Sequence, residues 1–450
     1  MKKIISIDIG STYTKGALFV LEDGALTLLR QKAVATTADM LKNGFDEILK
    51  DLQYENDAEI FFSSSAKGGL KTAAIGIVPG LTLESAKQAA LSAGARITGV
   101  YSYKLCDEDI EKMRKEKPDI ILFTGGTDGG SESYNIHNAK ILADAKLDVS
   151  IVYAGNRSIL KKISEMLSSY DLHIASNVLP ELDRLSPEDA REKIREVFLD
   201  KIICGKGLDK IVEKLGVKPF PTPYSMFEFL KKIYKKRASF GCFCVIDPGG
   251  ATTDFYSCCP SEIKEAGTVI RGLPEPEIKR TVEGDLGMRV SAAATFESMK
   301  EFIAERLVSV NKTSKAFESY IGKVVDDYGY LPETDDENIF EKILAQACCM
   351  GALKRHSGTV EEAYLPEGKF FIQRGKNLRG VNKIIFTGGY LSRMEDGIDF
   401  GSVPDRMSLV PEKPEYYRDV NYIFPLLANI SFKYSEEAIN LVINSLQKTA

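Results

Sequence analysis

No stretch of this 450-residue chain approaches the ~20 consecutive apolar residues that span a bilayer. The longest apolar runs, such as residues 120–123 and 422–428, are strand-sized. Met1-Lys2-Lys3 leads into only a few apolar or small residues before Asp8, well short of the roughly 7–15 of an export signal. The expected location is therefore the cytoplasm, with no membrane partner. An excess of positive charge is also lacking. With 59 Lys+Arg against 64 Asp+Glu the net charge is −5, and no Lys/Arg block offers a footprint for DNA or RNA. The eight cysteines do not form a disulfide framework, since they include the adjacent pairs Cys258-Cys259 and Cys348-Cys349 and the C-x-C of Cys242 and Cys244. That spacing fits a reducing compartment and free thiols. A metal cluster is the sharper reading of these residues. Against it, Cys242 and Cys244 alternate along a strand as small core residues, and adjacent cysteines make poor tetrahedral ligands. Two common nucleotide signatures are missing. Gly205-Lys206, Gly322-Lys323, Gly368-Lys369 and Gly375-Lys376 are followed by Gly, Val, Phe and Asn, which excludes a P-loop. No G-x-G-x-x-G closes a strand, so a dinucleotide fold lacks its phosphate fingerprint.

What is present is a globular composition, 44% hydrophobic and 27% charged, over a length that suits two to four domains. Four glycine turns punctuate it. Residues 3–8 form a β-rich run that ends in Asp8-Ile9-Gly10-Ser11-Thr12-Tyr13-Thr14-Lys15, and a second apolar run follows, the pattern of a hairpin. The same grammar returns at Asp247-Pro248-Gly249-Gly250-Ala251-Thr252-Thr253-Asp254. Glycine and hydroxyl residues in such turns expose N–H and O–H groups that wrap phosphate. A third turn, Thr387-Gly388-Gly389-Tyr390, closes a strand, and a fourth runs from Thr124 to Gly130. Each turn alone is ordinary. Together, two Asp-headed turns in separate halves and a later Gly-Gly turn describe a nucleotide clamp, in which Asp8 and Asp247 hold hydrated Mg²⁺ on a triphosphate. From 117 to 180 the pattern alternates strand and helix, an α/β unit, whose turn at 125–130 reads as a switch-point turn. Prolines at 219, 221 and 223 suggest a boundary, and residues 435–447 an amphipathic helix packing back on the body.

These residues resemble the actin, Hsp70 and sugar-kinase superfamily: Asp8 to Lys15 matches its first phosphate loop, Asp247 to Asp254 its second, and residues 384–392 its adenosine loop. More narrowly, the chain resembles the MutL/GlmL accessory proteins of adenosylcobalamin-dependent mutases. That match runs through Asp8–Gly16, Ala74–Pro79, Thr124–Gly130, Pro221–Pro223, Asp247–Asp254 and Arg280–Arg289. The resemblance implies an α/β, two-lobed actin-like (ribonuclease H-like) ATPase. The first lobe would span 1–236 with an inserted α/β segment near 116–180, and the second 237–450. It further implies ATP and Mg²⁺ as cofactors and a role in maintaining or reactivating a mutase such as glutamate mutase or an aminomutase. The mutase itself is not in this chain, because the B12 pattern D-x-H-x-x-G is absent around His137, His173 and His356. The implied phosphate contacts are Gly10, Ser11, Thr12, Lys15, Gly249, Gly250, Thr252 and Thr253, and the implied adenosine contacts Gly388 and Gly389. Asp8 and Asp247 would carry the metal and the attacking water. Glu283, with Asp285, is a candidate for water activation or Mg²⁺ ordering. The plainer reading of that run is an acidic helix N-terminus with Arg280 and Arg289 as surface charges. A small-molecule kinase, an activator ATPase of a radical enzyme and a polymerising actin homologue are the alternatives, and the oligomeric state is not legible.

Overall fold

The structure, a computed structural model, describes the whole chain except residues 11, 37–40, 55–57, 66–69, 183, 204–207, 261–266, 367, 395–406 and 450. Ser11 therefore lies outside the described residues. The chain divides into two compact units, one of Met1–Gly68, Ser225–Arg271 and Glu275–Ala450, the other of Gly69–Tyr224 and Gly272–Pro274.

The first unit contains two sheets built on one plan. Strand β1 (Lys2–Ile9) turns back into antiparallel β2 (Tyr13–Glu22), which pairs antiparallel with β3 (Ala25–Ala35). On its other side β1 takes β4 (Glu59–Ser64) in parallel. Ile4, Ile5, Ile7 and Ile9 are all fully buried, so β1 is covered on both faces, as its nearly continuous apolar run requires. For the second sheet, β5 to β9 being kept for the other unit, β10 (Phe243–Pro248) turns back into antiparallel β11 (Thr253–Cys258), which pairs with antiparallel β12 (Ile278–Glu283). Parallel β13 (Lys383–Phe386) adds to the far side of β10, and parallel β14 (Glu415–Arg418) follows it. In each sheet the first strand is central, with an antiparallel pair on one side and a parallel strand on the other. Each central strand ends in Asp followed by a glycine turn.

A shared core joins these sheets. Ile4, Ala17 and Phe19 pack in one cluster with Phe243, Val245, Ile385, Phe424 and Leu427, and the helix Ser435–Ser445 buries Ala438, Ile439 and Val442 in it. The other face of the second sheet is covered by the 22-residue helix Asp335–His356, which buries Cys348, Cys349 and Met350. Thr334 Oγ1 caps that helix at Glu337 N–H (3.2 Å), and acidic residues in its first turn and basic ones in its last suit the helix dipole. The apolar run at 422–428 is not a strand. It forms the helix Phe424–Ile430, with Pro425 in its first turn and Asp419 accepting from the N–H groups of Ile423 and Phe424.

In the second unit β5 (Lys71–Gly76), β6 (Arg96–Ser102), β7 (Ile120–Phe123), β8 (Ser150–Tyr153) and β9 (Asp171–Ile174) are all parallel, in the order β6-β5-β7-β8-β9. The alternation read from residue 117 onward is thus joined by two upstream strands, which carry Thr, Gly and Arg in place of a clear apolar run. The glycine turn after β7 is held by buried asparagines: Asn135 Nδ2 donates to Gly125 O (2.8 Å), Asn177 Nδ2 to Gly126 O (3.0 Å), and Gly129 N–H donates to Asn156 Oδ1 (3.1 Å). Among the described residues no helix is long and apolar enough to cross a membrane. The seven described cysteines are free thiols.

One close approach sets a test of this packing. A β-carbon on Gly16, in the middle of β2, would lie 2.3 Å from Ile48 Cγ2 of the helix Leu41–Asp51 and 3.3 Å from Ile7 Cγ1. Gly16→Ala should cost about 1–3 kcal/mol, seen as a lower urea midpoint; an unchanged midpoint would contradict the contact.

Candidate functional site

Both Asp-headed turns close in the same way. Gly10 N–H donates to Tyr13 O at 3.0 Å, and Gly249 N–H to Thr252 O at 2.8 Å. The offset that carries Asp8 onto Asp247 also carries Gly10 onto Gly249 and Tyr13 onto Thr252. The two turns meet: a β-carbon on Gly250 would sit 2.8 Å from Thr12 Oγ1. The Gly388-Gly389 turn, after β13, joins them. A β-carbon on Gly388 would lie 2.9 Å from Asp247 Oδ1 and 3.0 Å from Pro248 O, and φ there is +107°. One on Gly389 would lie 3.7 Å from Lys15 Nζ. The three turns read from the sequence are thus brought to one place, and the close approach and positive φ at Gly388 require glycine there.

The charged groups there are tightly set. Asp8 is buried, faces Lys15 across the β1–β2 pair, and accepts from Ser63 Oγ at 3.0 Å. Asn429 Nδ2 in turn donates to that Ser63 oxygen (3.0 Å) and to Ile7 O (3.3 Å), which fixes the hydroxyl that orients Asp8. Burial, then the neighbouring Asp254 carboxylate, push the pKa of Asp247 up to about 7 against the pull of Lys15, with Asp8 and Asp419 adding to the rise. Burial lowers Lys15 to about 8, opposed by Asp247, Asp8 and Asp419. Its Nζ sits 3.1 Å from the centroid of the Tyr422 ring, a cation–π contact. Tyr422 holds a left-handed backbone (φ +48°) and donates its N–H to Asp419 O at 3.0 Å. Asp419 is buried, which raises its pKa, and it accepts from two backbone amides and from Thr387 Oγ1, each at 3.0 Å. Asp254, at the position in the second hairpin that Lys15 holds in the first, is paired with buried Arg280 at 2.6 Å.

Other predicted residues take different places. The hydroxyl of Thr253 is buried and donates to Leu286 O (2.8 Å), bracing the segment that carries Met288 N–H to Gly249 O (3.0 Å) and Arg289 N–H to Gly250 O (2.8 Å). Residues 278–283 are a strand and not a helix N-terminus, because they continue the sheet beside β11. Arg280 and Arg289 are not surface charges: the first is paired with Asp254, and the second with Glu341 at 2.7 Å. Glu283 stands across from Thr253 on β12. Its carboxylate is held by Arg355 (3.0 Å), which also grips Asp285. Burial raises its pKa, while Arg355 holds Asp285 down at about 2. Asp419, Tyr422, Ser63 and Asn429 were not read from the sequence. Only Asp419 had a signal, an acidic residue shortly before Pro425 at a helix start. Among the described residues no group of three or more His, Cys, Asp or Glu side chains is arranged to hold a metal alone. Asp8 and Asp247 nevertheless suit Mg²⁺, which is content with one or two carboxylates completed by phosphate oxygens and water. The like-charge field that raises Asp247 is one that a cation would relieve.

Two sheets of one topology, with paired Asp-headed turns, define an α/β protein of the actin-like (ribonuclease H-like) fold with an additional α/β segment. Within it the chain belongs to the MutL family: the family described as MutL protein matches residues 4–446. It is similar to Protein MutL of Clostridium tetanomorphum, with 35% identity over 469 aligned positions that take in 100% of both chains. Among solved structures it is similar to nucleotide-free acetone carboxylase (12% identity, 95% of this chain and 70% of that one, TM-score 0.41). A nucleotide-free diol dehydratase-reactivating factor is also similar (11% identity, 97% of this chain and 100% of that one, TM-score 0.36). Membership rests on the two sequence matches.

The raised pKa of Asp247 sets the sign of a pH test. The folded chain holds this proton more tightly than the unfolded chain, whose carboxylate titrates near 3.8, so the group subtracts stability as pH rises from about 4 to about 7. The stability of Asp247→Asn relative to wild type should grow between pH 5 and pH 7, by up to about 1.4 kcal/mol per pH unit, in urea melts at the two pH values. A constant difference would show that Asp247 titrates normally.

Proposed function

We propose that this protein hydrolyses Mg-ATP and uses the cycle to reactivate an adenosylcobalamin-dependent mutase, glutamate mutase or an amino-acid aminomutase. The observation that carries the nucleotide reading is the meeting of the two Asp-headed turns with Gly388-Gly389 directly against Asp247 and Lys15. Membership of the MutL family supports the mutase as client, through the accessory role that the resemblance implies.

On this reading Gly10, Thr12, Lys15, Gly249, Gly250 and Thr252 line the phosphate oxygens, the Gly10 and Gly249 amides being engaged within their own turns, with Ser11 expected beside them, and Gly388-Gly389 lies against the adenosine. Asp8 and Asp247 hold Mg²⁺, which when bound offsets the charge of the triphosphate. Asp8 is aimed by Ser63 and Asn429. Asp247 also orients the attacking water. The buried hydroxyl of Thr253 acts through Leu286 on the turn, and Glu283 stays with Arg355, so water activation by Glu283 would require release from that pair. Closure around nucleotide alters the outer surface and so the grip on a partner protein.

The test is steady-state Mg-ATP hydrolysis with and without each candidate mutase blocked by an inactive cobalamin, with cobalamin release followed in the same sample. Turnover stimulated by the blocked mutase together with release supports the proposal; nucleotide turnover indifferent to every blocked mutase rejects the client. Asp247→Asn should lower turnover by about 10²-fold or more while ADP binding persists. Retention of full turnover would remove Asp247 from the chemistry.

A further inference from the structure

The charges around the turns are unevenly matched. Asp254 is neutralised by Arg280 at 2.6 Å. Ser63 Oγ donates to Asp8, and two amides and a hydroxyl donate to Asp419. Lys15 is a cation set among Asp8, Asp247 and Asp419. It faces Asp8 across the hairpin, acts on Asp247 and Asp419, and shares its surroundings with Arg393. It is also fixed in place. Nζ rests 3.1 Å from the Tyr422 ring centroid, beside Gly389, on a ring whose backbone is tied to Asp419. An aromatic face holds an ammonium without consuming any carboxylate oxygen.

We propose that Lys15, seated on Tyr422, is the built-in counter-ion of the Asp8, Asp247 and Asp419 cluster when no nucleotide is bound, and that it competes with a divalent cation for those carboxylates. The proposal rests on reading this site as one for Mg-nucleotide. A second cation brought among the same carboxylates is repelled by the ammonium, so the metal alone is held weakly. A polyphosphate offers Lys15 another anionic partner, and the carboxylates are then released to the metal. Metal and nucleotide thus enter together, and the empty protein does not fill its site with metal.

The probe is Mn²⁺ alone, with the free ion counted by electron paramagnetic resonance on the full chain without nucleotide. Lys15→Met and Lys15→Gln should bind Mn²⁺ at least about tenfold more tightly than wild type, the effect of removing one unit charge from among the carboxylates. Lys15→Arg and Tyr422→Phe, which keep the charge and the ring, should stay within about twofold. Adding Asp8→Asn to Lys15→Met should abolish the gain. Equal affinities for wild type, Lys15→Met and Lys15→Gln, each folded by circular dichroism, would overturn the proposal. Wild type supplies a second measurement should the neutral variants not fold: its Mn²⁺ affinity should rise at least about tenfold when ADP is present. A wild type that binds ADP in equilibrium dialysis yet takes Mn²⁺ equally with and without it also overturns the proposal. A protein that binds no ADP instead removes the nucleotide reading, and the Mn²⁺ gain of Lys15→Met then decides the counter-ion role alone.

Discussion

Like charges held together in a poorly hydrated place are what the rest of this structure is arranged around. Asp8 and Asp247 end the central strands of two sheets, Asp254 faces Asp247 across a hairpin, and Asp419 joins them from the end of β14. Left to themselves such groups would repel or take up protons, since burying an unpaired charge is costly. Each is met by a different device. Arg280 pairs with Asp254, the amides of a helix start receive Asp419, an Asn429–Ser63 chain donates to Asp8, and Lys15 serves Asp247. Asp247, whose burial and like-charged neighbours outweigh the pull of Lys15, has its proton affinity displaced to about 7.

The two-fold repetition of the sheets explains why the site has this form. Placing an Asp at the end of each central strand and closing each turn with a Gly N–H bond to the residue three further on gives two like turns that meet. Of the differences between the two hairpins, one reverses a charge: the first has Lys15 where the second has Asp254. The first hairpin thus brings a cation to the site, while the carboxylate of the second is met by Arg280. The third turn closes the arrangement because β13 runs parallel to β10 and ends beside Asp247.

Much of this was legible in the linear sequence because it is local. The Asp, the glycines and the hydroxyl residues of each turn lie within eight positions, and the flanking apolar runs declare the hairpins. Residues that act on the site from a distance were not legible. Ser63 and Asn429 are common polar residues whose importance arises only when β4 and the helix Phe424–Ile430 flank β1. The run at 422–428 has the length and apolarity of a strand, and its helical state depends on a cap from Asp419. Glu283 and Arg289, close in sequence, are drawn apart by Arg355 and Glu341 on a helix some fifty or more residues later.

By itself the sequence determined the α/β class, the repeated hairpins with their Asp and glycine residues, and the strand–helix alternation of the second unit, since periodicity and turn chemistry act between near neighbours. Tertiary structure alone decided that Arg280 and Arg289 are held in ion pairs, and that Lys15 rests on Tyr422 among three carboxylates. The physical reason is that an electrostatic environment is a property of distance in space, and the groups that set it here come from positions as far apart in the chain as 8 and 429.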